Sequence, residues 1–324
     1  MGKILAICLS ESKGHQKQPV QQARLLADHG LEGDAHAGAW HRQLSLLAAG
    51  DVVSMRERGL PALRYGEFAE NLVIDGLDFE ALGLGSRLRL GPSASVSITQ
   101  RGKACHTKCA IFRQVGDCIM PTRGLFARVV EGGEICVGDS AELMAHVPRE
   151  ALQAVVLTIS DTCSRGEASD TAGPAVAELL HVELGAHIYA GKTLPDEQEA
   201  IAERLRHYTD GHGIDLVLAV GGTGFAPRDV TPEAVRDVVE RFTPGLDEAM
   251  RTASARVTPH AMLSRAVSGI RGQTLILSLP GSAKAAVENL RAVLPALPHG
   301  LAKLRGDTAP CGPPRPGAKE GAHG

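Results

Sequence analysis

The sequence predicts an α/β protein: a mostly parallel sheet covered by helices in the C-terminal half, preceded by a β-rich barrel. Two rhythms and one polar segment predict it. Beyond residue 150, continuous apolar runs alternate with helical segments, as in parallel strands joined by crossover helices. Before it, short apolar or alternating runs bounded by Gly, Pro or Asp follow one another with a helix among them, which suggests a barrel or folded-over sheet. The polar segment is AVGGTGFAPRDVTPE, residues 219–233, where an apolar run gives way to Gly221, Gly222, Thr223 and Gly224.

In the first half, 3–10, 71–75, 86–90, 95–100 and 134–143 read as strands and 48–58 as a helix. Charge and turn residues gather at 146–150, which divides the chain into residues 1–147 and 148–306. In the second half, 154–160, 187–194, 214–220 and 273–279 read as strands. Helices are expected over 171–184, 197–208, 232–241 and 283–294, with helical segments through much of 245–268. Thr231-Pro232-Glu233 reads as a helix start, with Thr as N-cap, Pro at the first helical position and an acid in the first turn. Residues 307–324 are rich in Gly and Pro and read as a disordered tail.

A length of 324 residues suits two domains. Aromatics make up 3% of the chain, so aliphatic side chains must do most of the packing. A net charge of -3 argues against a nucleic-acid binder, which is usually basic. No apolar run approaches the length of a membrane span, and the N-terminus reads as a first strand rather than a signal peptide. The odd set of seven cysteines, without framework spacing, points to a reduced, cytoplasmic setting.

Polar clusters fall at the expected strand ends: Ser160-Asp161, the glycine turn with Arg228 and Asp229, and Pro280-Gly281-Ser282. Leu194-Pro195-Asp196-Glu197 closes a further strand and opens a helix. In a parallel sheet all four share one rim, where ligands bind. Glycines let the backbone approach a ligand closely, and consecutive turn N–H groups form a nest for an anion. Carboxylates beside such a nest and several helix N-termini suit a polyphosphate with Mg²⁺. Taken singly, Asp196 and Asp229 are also what any helix start favours.

The ordered set ISD, DxxG, LPDE, GGTGxxxRDVTPEA and LPGS resembles the molybdopterin-binding fold of the molybdopterin adenylyltransferases, over about residues 152–306. The resemblance implies that the terminal phosphate of molybdopterin attacks the α-phosphate of ATP, giving adenylyl-molybdopterin and pyrophosphate. It implies that Asp196 and Asp229 are the essential carboxylates, Asp229 ligating Mg²⁺ and Asp196 positioning metal or nucleotide. Gly221, Gly222, Thr223 and Gly224 would cradle phosphate, with Arg228 beside them. Ser160, Asp161, Gly281 and Ser282 would line the pterin or nucleotide pocket. Ala219-Val220 departs from the family, which often carries a small polar residue before the glycines.

In the first half, Cys105, His106, Cys109 and Cys118 cluster among Lys103, Lys108 and Arg113, and positive neighbours favour thiolate. Upstream stand GLEGDAHAG at 30–38, RQLSL at 42–46 and GEFAENL at 66–72. In this order they resemble a MOSC domain, named for the C-terminal domain of molybdenum cofactor sulfurases, over about residues 1–145. The resemblance implies a β-rich fold that binds molybdenum cofactor or carries sulfur, with Cys105 at the family's characteristic position. Ala104 stands where Pro is frequent. A zinc site of Cys105, His106, Cys109 and Cys118 is the alternative. Cys8, Cys118 and Cys136 read as buried small hydrophobes, His36 and His41 as ordinary hydrogen-bonded histidines, and Lys284 as a solvated helix residue.

The combined expectation is a cytoplasmic protein of molybdenum cofactor biosynthesis with molybdopterin and ATP as substrates. The resemblance also implies a homo-oligomer, a trimer as in similar adenylyltransferase domains, and a molybdenum-insertion protein or molybdoenzyme apoprotein as partner. Two alternatives stand beside it: a non-catalytic cofactor carrier or storage protein, and a MOSC enzyme reducing N-hydroxylated compounds.

Overall fold

The computed structural model describes residues 1–102 and 118–308. The N-terminal strands are β1 Gly2–Leu9, β2 Gln18–Val20, β3 Gln22–Leu26, β4 Gly30–Leu31, β5 Leu44–Ala48, β6 Leu72–Asp75, β7 Arg87–Leu90, β8 Ala94–Arg101, β9 Leu125–Glu131, β10 Gly133–Cys136 and β11 Ser140–Ala145. Helix α1, Ala49–Glu57, follows β5. The strands pair in the order β11-β7-β8-β9-β5-β6-β1, and β1 pairs back onto β11, so the sheet closes into a barrel with β2 attached to β1. Closure removes unpaired edges.

Aliphatic side chains fill the interior, among them Ile4, Ile7, Leu46, Leu72, Ile74 and Leu88. In a regular strand Ile4 and Ile7 would point to opposite faces. A register shift between Ile4 and Ala6 re-phases β1, so both enter the barrel while Ala6 and Cys8 pack outward with Val52 and Met55 of α1. The single strand expected over 134–143 is two strands, because Gly138 takes φ +99 and turns the chain between them. β10 pairs with β3, and β3 with β4, in a small separate sheet. Cys136, expected to be buried, is exposed there, since its neighbour Ile135 takes the inward face.

The second half contains β12 Gln153–Ile159, β13 His187–Leu194, β14 Leu216–Val220, β15 Arg241–Phe242, β16 Gly269–Arg271 and β17 Thr274–Leu279. Its helices are α2 Asp161–Ser164, α3 Ala172–Leu184, α4 Gln198–Gly211, α5 Thr231–Arg236, α6 Pro244–Ala255, α7 Ala283–Val293 and α8 Leu297–Leu304. The strand order is β13-β12-β14-β17-β16-β15; the first four run parallel and the last two antiparallel. Every residue of β12, β14 and β17 is buried, as expected for parallel strands covered on both faces. Val156, Leu218 and Leu277 face α3, α7 and α8, whereas Val155, Leu157 and Val217 face α4 and α5. Burying one such leucine contributes roughly 1.5–3 kcal/mol.

The helix expected over 232–241 stops at Arg236, because Arg241 and Phe242 pair with β16 instead. Within 245–268 the helical part is α6 and a 3-10 turn at Pro259–Leu263. Thr231 is not the N-cap of α5 but its first residue. Its N–H donates to the Gly222 carbonyl at 3.2 Å, which pins it against the glycine turn and leaves its side chain fully buried. Among the described residues no helix is long and apolar enough to cross a membrane.

Candidate active site

The four parallel strands end level. Ile159 lies opposite Leu194, Thr158 opposite Val220, and Val220 opposite Leu279. Ser160, Asp196, Gly221 and Gly281 therefore leave the sheet along one edge, the carboxyl end where such sheets bind ligands.

The acids of this edge are tied together. Asp161 N–H donates to Asp196 Oδ2 at 2.8 Å, and Asp196 N–H donates to Asp161 Oδ1 at 3.0 Å. Arg228 forks onto Asp161, Nε to Oδ2 at 2.9 Å and Nη2 to Oδ1 at 2.8 Å. That fork holds the Asp161 carboxyl below its ordinary range. Asp196 is pushed the other way, first by partial burial and then by the charges of Asp161 and Asp229. Asp229 accepts the Ala226 N–H at 2.8 Å. Both acids flank the glycine turn: a Cβ at Gly222 would sit 3.0 Å from Asp196 Oδ1, and one at Gly224 2.8 Å from Asp229 Oδ2.

Of the four turn residues, Gly221 and Gly222 take positive φ, +114 and +61. The Gly221 N–H donates to the Leu279 carbonyl at 2.9 Å and so completes the sheet rather than the nest. The N–H groups of Gly222, Thr223 and Gly224 donate to no acceptor among the described residues. Ser160 and Ser282 cap α2 and α7, accepting the N–H of Cys163 at 3.2 Å and of Ala285 at 3.3 Å. A Cβ at Gly281 would stand 3.4 Å from Gly221 Cα. Ser160, Asp161, Asp196, Gly221, Gly222, Thr223, Gly224, Arg228, Asp229, Gly281 and Ser282 thus share one rim.

Two residues complete it, Arg265 and Thr231, the latter read in the sequence only as a helix start. Arg265 donates from Nε to the Gly224 carbonyl at 2.7 Å, from Nη1 to Glu233 Oε1 at 2.6 Å, and from Nη2 to the Asp229 carbonyl. It fixes both sides of the turn, and nothing local in its sequence announces that. Thr231 is fully buried, its hydroxyl without a partner among the described residues, and a Cβ at Gly222 would sit 2.5 Å from that oxygen. A cavity of about 260 Å³ opens beside Thr223 and Gly224, walled by Leu263, Pro280 and Asn289.

In the barrel half, Cys105, His106 and Cys109 lie outside the described residues, and Cys118 is half-buried. The motif residues around them are mostly internal locks. Asp34 accepts from Lys17 Nζ at 2.7 Å to each oxygen, and from the N–H groups of Ser10 and His36. Glu70 accepts from the N–H groups of Gly66 at 2.6 Å and Phe68 at 3.1 Å, and burial pushes its carboxyl up to about 7. Cys8 is buried, its thiol pushed up to about 12 mainly by burial. Arg42 lies over the rings of Trp40 and Phe126, at 4.9 Å and 5.9 Å. No cluster of three or more His, Cys, Asp or Glu side chains suited to a metal ion occurs among the described residues.

Comparison with known proteins follows this division. A probable molybdopterin binding domain matches residues 155–299 and a MOSC domain residues 33–142. The chain is 46% identical over 155 residues to gephyrin of Dictyostelium discoideum, which covers 45% of the chain but 21% of that protein. It is 41% identical over 160 residues to the molybdenum cofactor synthesis protein cinnamon of Drosophila melanogaster, covering 49% of the chain and 27% of that protein. The chain thus spans about a quarter of the length of these two relatives. It is also 41% identical over 145 residues to the molybdopterin adenylyltransferase of Helicobacter pylori, covering 44% of the chain and 82% of that protein. On these matches the chain belongs to the molybdopterin adenylyltransferase family of molybdenum cofactor biosynthesis, its family domain following a MOSC domain in one polypeptide.

Proposed function

We propose that the C-terminal half transfers the adenylyl group of ATP to molybdopterin. An oxygen of the molybdopterin terminal phosphate forms a bond to the α-phosphorus, the bond from that phosphorus to the β-bridging oxygen breaks, and pyrophosphate leaves. Such transfer depends on positioning and on neutralising developing negative charge. The observation that carries the reading is the flanking of one turn, with three N–H groups free of protein acceptors, by Asp196 and Asp229. The N–H groups of Gly222, Thr223 and Gly224 receive phosphate oxygens, and the buried Thr231 hydroxyl beneath them donates to the same group. Arg228 fixes Asp161, and Asp161 in turn fixes the backbone of Asp196. The cavity beside Thr223 takes a ring of one substrate.

The donor set fits Mg²⁺, which is usually held by one or two carboxylates plus substrate phosphates rather than by a full protein cage. Asp196, whose charged form is disfavoured by burial and by two neighbouring acids, is relieved by such a cation. Asp196 and Asp229 would hold it, and it would supply charge neutralisation at the phosphates.

The division at 147/148, the cytoplasmic setting and a homo-oligomer belong to the same reading. So does a MOSC half that receives or modifies the cofactor through Cys105, and a molybdenum-insertion protein or apoenzyme that accepts the product. The test is molybdopterin-dependent pyrophosphate release from ATP by the intact chain. Release that Asp229→Ala abolishes is the expected result. Binding of molybdopterin without release would instead identify a carrier and end the catalytic reading.

A further inference from the structure

A large cavity lies away from the rim, between the two halves. It encloses about 660 Å³ and takes its walls from both. The barrel side supplies Trp40, His41, Thr99 and Arg128; the other side supplies the β13 residues His187 to Lys192 and, from α4, Arg204, His207 and Tyr208. That volume falls within the range of small-molecule sites.

Its walls are held by a cluster of tilted rings. His41 lies on His212 with centroids 4.2 Å apart, and His207 on His212 at 4.6 Å. His41 Nε2 donates to Gln100 Oε1 at 3.0 Å, and His212 Nδ1 donates to the His207 carbonyl at 3.0 Å. Close contacts across the halves leave no room for side chains at two glycines. A Cβ at Gly211 would press on His41 at 3.0 Å, and one at Gly85 would overlap the His187 ring. Burial pushes these three clustered histidines toward their neutral forms, His212 down to about 3.

The fixed positive charge is therefore that of Arg128, Lys192 and Arg204. One acid, Asp28, faces it, paired with Arg128 at 3.2 Å. Trp40, Tyr189 and Tyr208 add ring faces and edges. Cations beside stacked rings recognise a flat heterocycle that carries an anionic tail. Lys192 stands four residues before Asp196, about 13 Å at the rise of an extended strand. The cavity is thus separate from the rim but within reach of it.

We propose that this interdomain cleft is a second ligand site, for a phosphorylated pterin. The choice of a pterin over another phosphorylated heterocycle rests on the reaction proposed above. The heterocycle lies against Trp40 beside the histidine cluster, and the phosphate meets Lys192 and Arg204. A compound made or consumed at the rim is thereby held where both halves touch it.

Trp40 is the one tryptophan of the chain, so its emission reports on this cleft. The experiment titrates the intact protein with 6-hydroxymethylpterin monophosphate, and in a parallel arm with AMP, following Trp40 quenching. Saturable quenching by the pterin phosphate is expected. Lys192→Ala with Arg204→Ala weakens it by roughly tenfold or more, the loss of charge-assisted contacts, and Lys192→Arg with Arg204→Lys restores it. Absence of quenching at saturating pterin phosphate, quenching by AMP alone, or an unchanged titration in the alanine double variant overturns the proposal. Asp229→Asn separates the two readings. A protein that releases no pyrophosphate yet keeps the Trp40 titration retains the cleft and loses only the reaction, whereas loss of quenching in Asp229→Asn refutes a separate site.

Discussion

Thr231→Val sets stability against catalysis. The hydroxyl is fully buried and has no hydrogen-bond partner among the described residues, while its oxygen points at the glycine turn. An unpaired buried hydroxyl costs about 1–3 kcal/mol in desolvation. Valine keeps the branched shape and removes that group, so the ligand-free variant gains about 1 kcal/mol or more. For a protein of this size that raises Tm by roughly 2–4 °C per kcal/mol. In the reaction the same hydroxyl donates to a charged phosphate, a bond contributing about 1.5–3 kcal/mol. Its loss lowers kcat/KM about ten- to a hundredfold. The assays are thermal unfolding without ligands and initial rates of pyrophosphate release. A variant that is less stable and equally active would show that the hydroxyl is satisfied inside the protein and touches no substrate, and the reasoning would fail.

Two further predictions concern the supports of the site and the barrel. Arg265→Met keeps the aliphatic stem and removes the bonds to the Gly224 and Asp229 carbonyls; it lowers kcat by about a hundredfold, as a misplaced site does, while circular dichroism stays that of the wild type. A rate equal to that of the wild type would remove Arg265 as the brace of the turn. Glu70 is protonated in the fold up to about pH 7 against an ordinary value of 4.5, so the folded state binds more protons between those values. Its contribution is full below 4.5 and is lost as pH rises through about 7, amounting to about 3 kcal/mol. Urea unfolding of Glu70→Gln from pH 4 to 8 should lack that slope, and curves parallel to the wild type would refute it.

What could be read from the sequence follows from the physics of each element. β12, β14 and β17 are buried on both faces, so they appear as unbroken apolar runs, each stopped by a polar or glycine cluster. Because those runs end level, the polar clusters after them mark the rim without any knowledge of contacts. The half-exposed β3 and the two-residue β4 and β15 have no such signature. Long-range polar contacts were equally silent. Lys17 sits in HQKQPV like any surface lysine, yet it is buried against Asp34. Arg265 reaches a turn more than thirty residues upstream. The glycine turn was visible, but its division of labour was not: the Gly221 N–H serves the sheet, whereas the next three N–H groups meet no acceptor among the described residues. Cys105, marked by its basic neighbours and by the MOSC resemblance, lies outside the described residues.

The central claim is that Asp196 and Asp229 act on one triphosphate. Pyrophosphate release should be measured for Asp196→Asn, Asp229→Asn and the double variant. If both acids serve one metal and one phosphate group, each single substitution lowers the rate by about a thousandfold or more and the double variant is no slower than the worse single one. Losses that multiply in the double variant would place the two carboxylates in independent roles and contradict the account.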